Sequence, residues 1–445
     1  MGSPESKTNT AQLVEQISCP NCWHDFPPHE LHFIATSPQL TFDHIVQNGS
    51  GRRFLPTNFT FNGDAMDPGG GLCTETACPE CHLKIPRLLA QKNKISISIF
   101  GAPGSGKSYL LASMTHKLAE VFPEIGVIVD DVDAEANTIL HGYEKELFYQ
   151  PTPTTKVTLK KTDVFGDWYN TIKWQGMERT LPKPFLFSIE NPGKKDKSGL
   201  PSSKVLCLYD NAGESFEPGA ETEDAPVTRH MSKADGLIFV LDLTQETAFR
   251  KACQSKSNDP QWKGDVMHRQ TALFSEAMSR ILRFRGDLPT ARVDTPIVIS
   301  LPKFDAWSFL LAEKELPSPW KPDSKTSTKC FDPKAVYEVS DELREILRRY
   351  TPAMLSRIES TFDPAKTIYV PTSATGCAPR KKSVSQEDDG SQLNDIMQID
   401  LSSVELTEEN QRDNYFLAGE INPIWTEIPA LALLQLIAPD LIPSS

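Results

Sequence analysis

Eight consecutive residues carry the strongest chemical signal in this chain: Gly101-Ala102-Pro103-Gly104-Ser105-Gly106-Lys107-Ser108. Glycines at the first, fourth and sixth places let the backbone curl so that its N–H groups converge on phosphate oxygens. An apolar run, Ile95–Phe100, leads into the loop, and Leu110, Leu111, Met114, Leu118 and Val121 follow at helical spacing within Lys107–Val121. A helix starting there adds the partial positive charge of its N-terminus. Lys107 is then placed to bridge the outer phosphates and Ser108 to offer a hydroxyl to Mg²⁺, an ion that takes oxygen ligands. Tyr109 completes the candidate nucleotide-contacting set.

A second element, Asp210-Asn211-Ala212-Gly213, stands directly after the apolar run Val205–Tyr209. A carboxylate at such a strand end can hold the hydration shell of Mg²⁺, and Gly213 would leave its N–H open to a terminal phosphate. Four of the nine cysteines form two short pairs, Cys19-Pro20-Asn21-Cys22 and Cys78-Pro79-Glu80-Cys81. Two such knuckles suit tetrahedral thiolate coordination of a structural Zn²⁺. Without an export signal, paired cysteines read as metal ligands rather than disulfides. The 55 residues between the pairs exceed an ordinary zinc-ribbon spacing, but the cost of closing a loop grows only logarithmically with its length. Cys73 or His82 could replace a ligand, and redox cysteines are the competing reading.

Positioning these groups takes a sheet. The apolar runs Ile95–Phe100, Ile125–Val129, Pro184–Ile189, Val205–Tyr209, Leu237–Leu241, Ile297–Leu301 and Ile368–Val370 alternate with helical stretches, which is how an α/β fold reads. Helices are expected over Lys107–Val121, Asp133–Tyr149, Gln270–Phe284 and Asn422–Leu436. Together they predict a three-layer P-loop fold whose sheet is mostly parallel, with one antiparallel strand, Pro184–Ile189, against Val205–Tyr209. Residues 1–92, rich in turn formers such as Pro68-Gly69-Gly70-Gly71, are expected to form a zinc-ribbon-like module with a long loop insertion, and residues 93–443 the nucleotide domain. Residues 383–411 hold eight acidic side chains and no Lys or Arg, and are expected to be a mobile insertion. Surface insertions are also expected around 244–268 and 310–334. Trp23 and Phe26 are expected to pack a small core rather than stack on nucleic acid.

The chain has 445 residues, 46 basic and 59 acidic, for a net charge of −13. That balance argues against general coating of nucleic acid. No apolar run approaches the roughly 20 residues of a membrane helix, and Met1 to Thr10 lacks the layout of a secretory signal. The expected location is cytoplasmic, with no membrane partner. Gly2 and Ser6 fit a myristoylation pattern formally, but Pro4 and the lack of a nearby basic cluster discount it.

The order of these motifs resembles the translation-factor and Ras-like (TRAFAC) class of P-loop GTPases, in which a DxxG element follows the third strand and opens a mobile switch. Lys303-Phe304-Asp305 stands after Ile297–Leu301 where that class has NKxD, and Ser373-Ala374 stands after Ile368–Val370 where it has a short SA element. The resemblance implies that Asp305 accepts from two N–H donors on the guanine edge, a pair adenine does not offer. Lys303 would lie along the base and Ala374 would present its N–H to the guanine carbonyl. Pro302 replaces the family's Asn and removes a bracing side chain and a backbone donor. A solvated surface pair is the competing reading of Lys303 and Asp305.

Thr180 is placed like the switch threonine that closes over Mg²⁺; Thr171 and the threonines at 152–158 compete for that role. Glu214 occupies the position where Ras-like enzymes often carry a water-orienting Gln, and Arg179 and Arg229 are candidate sources of positive charge. The whole layout also resembles the bacterial double-GTPase domain family with an N-terminal zinc ribbon, found in multi-gene conflict or signalling systems. That resemblance implies a switch that binds Mg-GTP and hydrolyses it to GDP, with Lys107, Thr180, Gly213 and Glu214 in catalytic roles. GTP, GDP and protein partners docking through the zinc module or the switch segments are implied as well. A non-hydrolysing scaffold acting through the zinc module, favoured by Glu214 and Pro302, and an ATPase are the alternatives.

Overall fold

The computed structural model of the protein describes residues 13–46, 51–61, 63–149, 169–195, 199–211, 213–216, 228–253, 255–256, 262, 270–312, 315–323, 328–377, 379–381, 415–417 and 420–444. The acidic insertion expected at 383–411 lies outside them.

The sequence Lys-Ile-Ser-Ile-Ser-Ile-Phe-Gly forms the central strand β1, Lys94–Gly101. Alternation sends Ile95, Ile97 and Ile99 to one face and Ser96, Ser98 and Phe100 to the other, and every one of them is buried. The other strands of the main sheet are β2 (Ile128–Asp131), β3 (Phe185–Lys195), β4 (Pro201–Asp210), β5 (Gly236–Val240), β6 (Ile297–Leu301) and β7 (Thr367–Pro371). Their spatial order is β2-β3-β4-β1-β5-β6-β7. β4, β1, β5, β6 and β7 pair in parallel, and β3 pairs antiparallel with both β2 and β4. The sheet is therefore mixed but largely parallel, with β3 alone reversed among its described strands, in line with the antiparallel pairing expected of Pro184–Ile189 and Val205–Tyr209.

Layers cover both faces. Phe274 of helix α3 (Gln270–Arg285) packs on the face of Phe100 and Phe239, with ring centroids 6.4 and 5.0 Å away. The opposite face carries α1 (Lys107–Glu124), α2 (Thr138–Phe148) and α6 (Ile428–Ile437). Gly236, beside Ile97, admits α6 closely: a Cβ there would lie 2.9 Å from Ile437 Cδ1. Helices α4 (Pro333–Tyr350) and α5 (Pro352–Thr361) flank β7 and α3.

Several boundaries differ from the sequence expectation. Helix α1 runs through Pro123 to Glu124, so β2 starts at Ile128 rather than Ile125, and Ile125 and Val127 are buried under the helix end. The last helix starts at Ile428, because residues 422–424 hydrogen-bond in extended form to Ser373 and Thr375. The region 244–268 is not all surface loop: Thr247–Cys253 is helical and buries Phe249 and Cys253 completely. Likewise Trp320–Pro322 and Lys329–Phe331 form a hairpin within 310–334. No helix among the described residues is long and apolar enough to cross a membrane.

The amino-terminal region consists of short strands braced by side chains. Asp43 accepts hydrogen bonds from the backbone N–H of Ile45, Val46 and Arg53 and lies 2.8 Å from His82 Nδ1. Burial works to raise its pKa, but the hydrogen bonds from Ile45, His82, Val46 and Arg53 outweigh it and hold the carboxyl at about 2. The folded value lies below that of the unfolded chain, so this brace contributes fully above about pH 4 and is lost as pH falls toward 2. Asp43→Ala is expected to cost about 2 kcal/mol at pH 7, with a gap to the parent that narrows below about pH 4. Thermal unfolding across pH checks this, and equal midpoints at pH 7 would contradict it.

Candidate functional site

The chemistry gathers at the carboxyl ends of the parallel strands, where open α/β sheets bind ligands. From β1 the chain turns through Gly101–Gly106, with Gly104 and Gly106 at φ of 69° and 93°, a region that only glycine enters freely. Gly101 is required by proximity, since a Cβ would meet Val240 O at 2.5 Å. Gly106 caps α1 with no side-chain hydrogen bond and no acidic residue in the first turn. An 18-residue helix thus presents its first N–H groups and its positive end to the loop. Lys107 Nζ turns back onto the carbonyls of Gly101 and Ala102 at 3.0 and 2.9 Å. Ser105 Oγ is buried and has no hydrogen-bond partner among the described residues. Tyr109 is half-buried and packs against the main core cluster.

β4 runs beside β1 with Ile99 opposite Asp210, so Asp210 emerges next to the loop. Ser108 Oγ donates to Asp210 Oδ2 at 3.1 Å. These two oxygens are the hard donors a Mg²⁺ site needs. Gly213 opens a short turn, Gly213–Phe216, and packs directly on the loop: a Cβ there would sit 2.4 Å from Pro103 N and 2.8 Å from Ala102 C. Glu214 belongs to that turn. Arg280 of α3 fixes it by donating to Ser215 O at 2.5 Å.

The two later motifs also meet. Asp305 Oδ1 accepts from Ser373 Oγ at 2.5 Å, and Phe304 N donates to Thr372 O. The carbonyl of Ala374 accepts from Ser113 of α1. Lys303 takes the left-handed backbone conformation, φ 59°, and its Nζ reaches Asp242 Oδ2 at 2.7 Å and Thr244 Oγ1 at 3.2 Å. Thus neither Lys303 nor Asp305 is a merely solvated surface group.

Thr180 lies in a hairpin strand, Met177–Pro182, opposite Thr171 in Tyr169–Trp174. The turn is Gln175-Gly176, with φ of 48° and 86°, a two-residue turn of the kind that joins strands tightly. The alternation around Gln-Gly was the signal for it. Arg179 sits in the same strand over the Trp174 ring, and Arg229 is an exposed residue of the turn Arg229–Lys233. Sequence reasoning missed the loop after β5. Asp242 is fully buried, and Gln245 Nε2 donates to Pro103 O at 3.3 Å. Its position directly after an apolar run, as for the other motifs, could have found it.

The four paired cysteines converge, with Cys19 and Cys81 Sγ 3.8 Å apart and Cys22 and Cys78 Sγ 3.7 Å apart. A tetrahedron with metal–sulfur bonds of about 2.3 Å has edges of about 3.8 Å, so the set fits zinc. The knuckles repeat one local geometry: Trp23 N donates to Cys19 O and His82 N to Cys78 O, both at 3.1 Å, and both residues have positive φ. Burial works against a thiolate at both Cys19 and Cys81; it pushes the Cys81 thiol well up, whereas hydrogen bonds from Cys22, Cys78 and Cys81 hold the Cys19 thiol down. Cys73 is not a member. It packs with Phe33 and Ala65, and His82 is engaged with Asp43.

No family model matches the chain. A stretch of 171 residues is 26% identical to SaeC of Mycolicibacterium smegmatis, whose name proposes ESX-1 scaffolding and assembly. The match spans 37% of this chain and 37% of that relative. Among solved structures, the GTP-bound GTPase-like domain of S. cerevisiae Ski7 aligns at 12% identity and a TM-score of 0.27, covering 64% of this chain and 43% of that one. Sup35 complexed with GDP aligns at 12% identity and 0.22, covering 64% and 38%. TM-scores this low bear no weight on function, which must be argued from the residues of the site.

The ion pair of Lys303 and Asp242 gives a direct check on the loops after β5 and β6. Lys303→Met would strand a carboxylate whose side chain is 0% exposed, and is expected to cost about 3 kcal/mol. Chemical denaturation reads the loss; an unchanged midpoint would mean that Asp242 is held by Thr244 alone.

Proposed function

We propose that this chain is a nucleotide-binding switch that holds Mg-GTP in the loop 101–108 and hydrolyses it to GDP. The observation that carries the reading is the uncapped start of α1 behind a glycine loop on which Gly213 packs without a side chain between them. Backbone N–H groups, the helix end and Lys107 supply positive potential for a polyphosphate. Ser108 and Asp210, already in contact, would hold Mg²⁺, which neutralises charge on the outer phosphates. Gly213, at the end of its element, would offer its N–H to the γ-phosphate.

Guanine selection is assigned to Asp305, held by Ser373, with Ala374 alongside and Lys303 anchored at Asp242. The closing threonine is proposed at Thr180, on the hairpin that leads into β3. Glu214 is proposed to orient water in place of an amide, so turnover is expected to be slow. The four cysteines are proposed to hold one Zn²⁺ within a module of residues 1–92, ahead of a nucleotide domain of residues 93–443. A role in a signalling or conflict system is the wider proposal, following the double-GTPase resemblance.

A second reading has its own support. Glu214 in place of an amide, Pro302 in place of Asn, and the scaffolding named for the partial relative favour a chain that binds nucleotide without hydrolysing it and acts by recruiting protein partners.

Single-turnover phosphate release from GTP, compared with Lys107→Ala, separates the two. The switch reading expects release that the variant lowers at least tenfold; equal release in both leaves only the scaffold. Competition against a fluorescently labelled GDP checks the base: GDP should displace it far better than ADP, and Asp305→Asn should erase that preference. Equal displacement by the two in the parent protein would point to an ATPase.

A further inference from the structure

The four-cysteine cluster does not stand apart from the sheet. Ile17, Cys19, Trp23, Phe26, Cys78 and Cys81 share one apolar cluster with Val205, Cys207 and Tyr209 of β4. Ser96 pairs with Cys207 and Ser98 with Tyr209, so this cluster lies on the same face of the sheet as Phe100 and α3.

From the knuckle, a chain of buried contacts leads to the nucleotide side. The carbonyl of Pro20, between Cys19 and Cys22, accepts from Tyr209 Oη at 2.6 Å. The Tyr209 ring stacks on His230, centroids 4.5 Å apart, and Trp23 lies 5.8 Å from the same imidazole. His230 Nε2 is 3.1 Å from Ser98 Oγ, which accepts from Asn211 Nδ2 at 3.0 Å. Asn211 also donates to Ile99 O at 2.7 Å. Tyr209, His230, Ser98 and Asn211 are each at most 3% exposed. Tyr209 and Asn211 flank Asp210, the residue in contact with Ser108.

We propose that the metal knuckle and the nucleotide loop are thermodynamically coupled, with Tyr209 and His230 as the positioning residues that join Pro20 to Asn211 and Asp210. This rests on the nucleotide-binding reading of the loop 101–108. A filled knuckle fixes the Pro20 carbonyl and Trp23. That fixes the Tyr209 hydroxyl and the imidazole it stacks on, and so the register of residues 210–211 at the mouth of the loop. A packed, hydrogen-bonded path has few arrangements open to it, so order at one end favours order at the other. Because linkage is reciprocal, a nucleoside diphosphate with Mg²⁺ must tighten zinc by the same factor by which zinc tightens the nucleotide.

Zinc affinity of the full chain is measured by equilibrium competition with a chromophoric chelator, with and without saturating Mg-GDP, while fluorescence of a labelled GDP reports binding. The expected result is a zinc dissociation constant lowered about fivefold or more by Mg-GDP. Tyr209→Phe, which keeps the ring and loses only the hydroxyl, should bring that ratio close to one while zinc is still bound. GDP that binds without altering zinc affinity would overturn the coupling and leave the nucleotide reading intact. Failure of the parent protein to bind GDP at all would overturn both. A ratio preserved in Tyr209→Phe would overturn the assigned path. His230→Gln, which retains a polar group beside Ser98 but not the stacked ring, should likewise lower the ratio, and a ratio preserved in it would equally overturn the path.

Discussion

The backbone of Gly213 lies against Ala102 and Pro103 with no room for a methyl group, and that contact sets the geometry of the whole site. It can form because β1 and β4 are parallel neighbours with Ile99 opposite Asp210, so the two loops leave the sheet at the same level. Asp210 then meets Ser108, and the loop after β5 reaches Pro103 through Gln245. From there the links run sideways: Asp242 of that loop holds Lys303, and Asp305 holds Ser373. Five strand ends are tied into one rim by short polar contacts. A register slip in β4 would turn its side chains to the opposite faces and break the first of these ties.

Beneath the rim, the sheet is covered unevenly. α1, α2 and α6 share one face, while the other carries α3 and the cysteine knuckles, with α4 and α5 flanking β7 and α3. Val205, Cys207 and Tyr209 would expose a large apolar strip without Ile17, Trp23 and Phe26 over them. A set of very short strands cannot by itself bury enough surface to be stable. The zinc proposed at the four cysteines would supply the missing rigidity locally. The knuckles therefore serve as part of the layer over β4, which explains why their aromatic residues pack inward.

The fold was legible where periodicity was strong. The alternating Ile and Ser of β1, the buried β6 and the stripe of α3 are each plain in the sequence, and so are the loop 101–108 and both cysteine pairs. Less legible were places where tertiary contact overrides local preference. Pro123 does not stop α1, because Phe122 and Ile125 are buried there. Residues 422–424 stay extended to pair with Ser373. Thr180 reads as a loop threonine until Gln175-Gly176 is recognised as a turn. Asp242 stands directly after the apolar run Leu237–Leu241, a signal easily passed over, whereas His230 carries no motif at all: its importance lies in what it touches, which a single sequence does not display.

The central claim, that the amides of residues 101–108 enclose a polyphosphate, is open to a direct test by hydrogen exchange. Peptides covering Gly101–Tyr109 and Asp210–Phe216 should exchange markedly more slowly once Mg-GTP is added, while a peptide covering Pro364–Thr367, at the amino end of β7 and so at the opposite end of that strand from the rim, should not change. Exchange across 101–109 that stays the same at millimolar Mg-GTP would contradict the account.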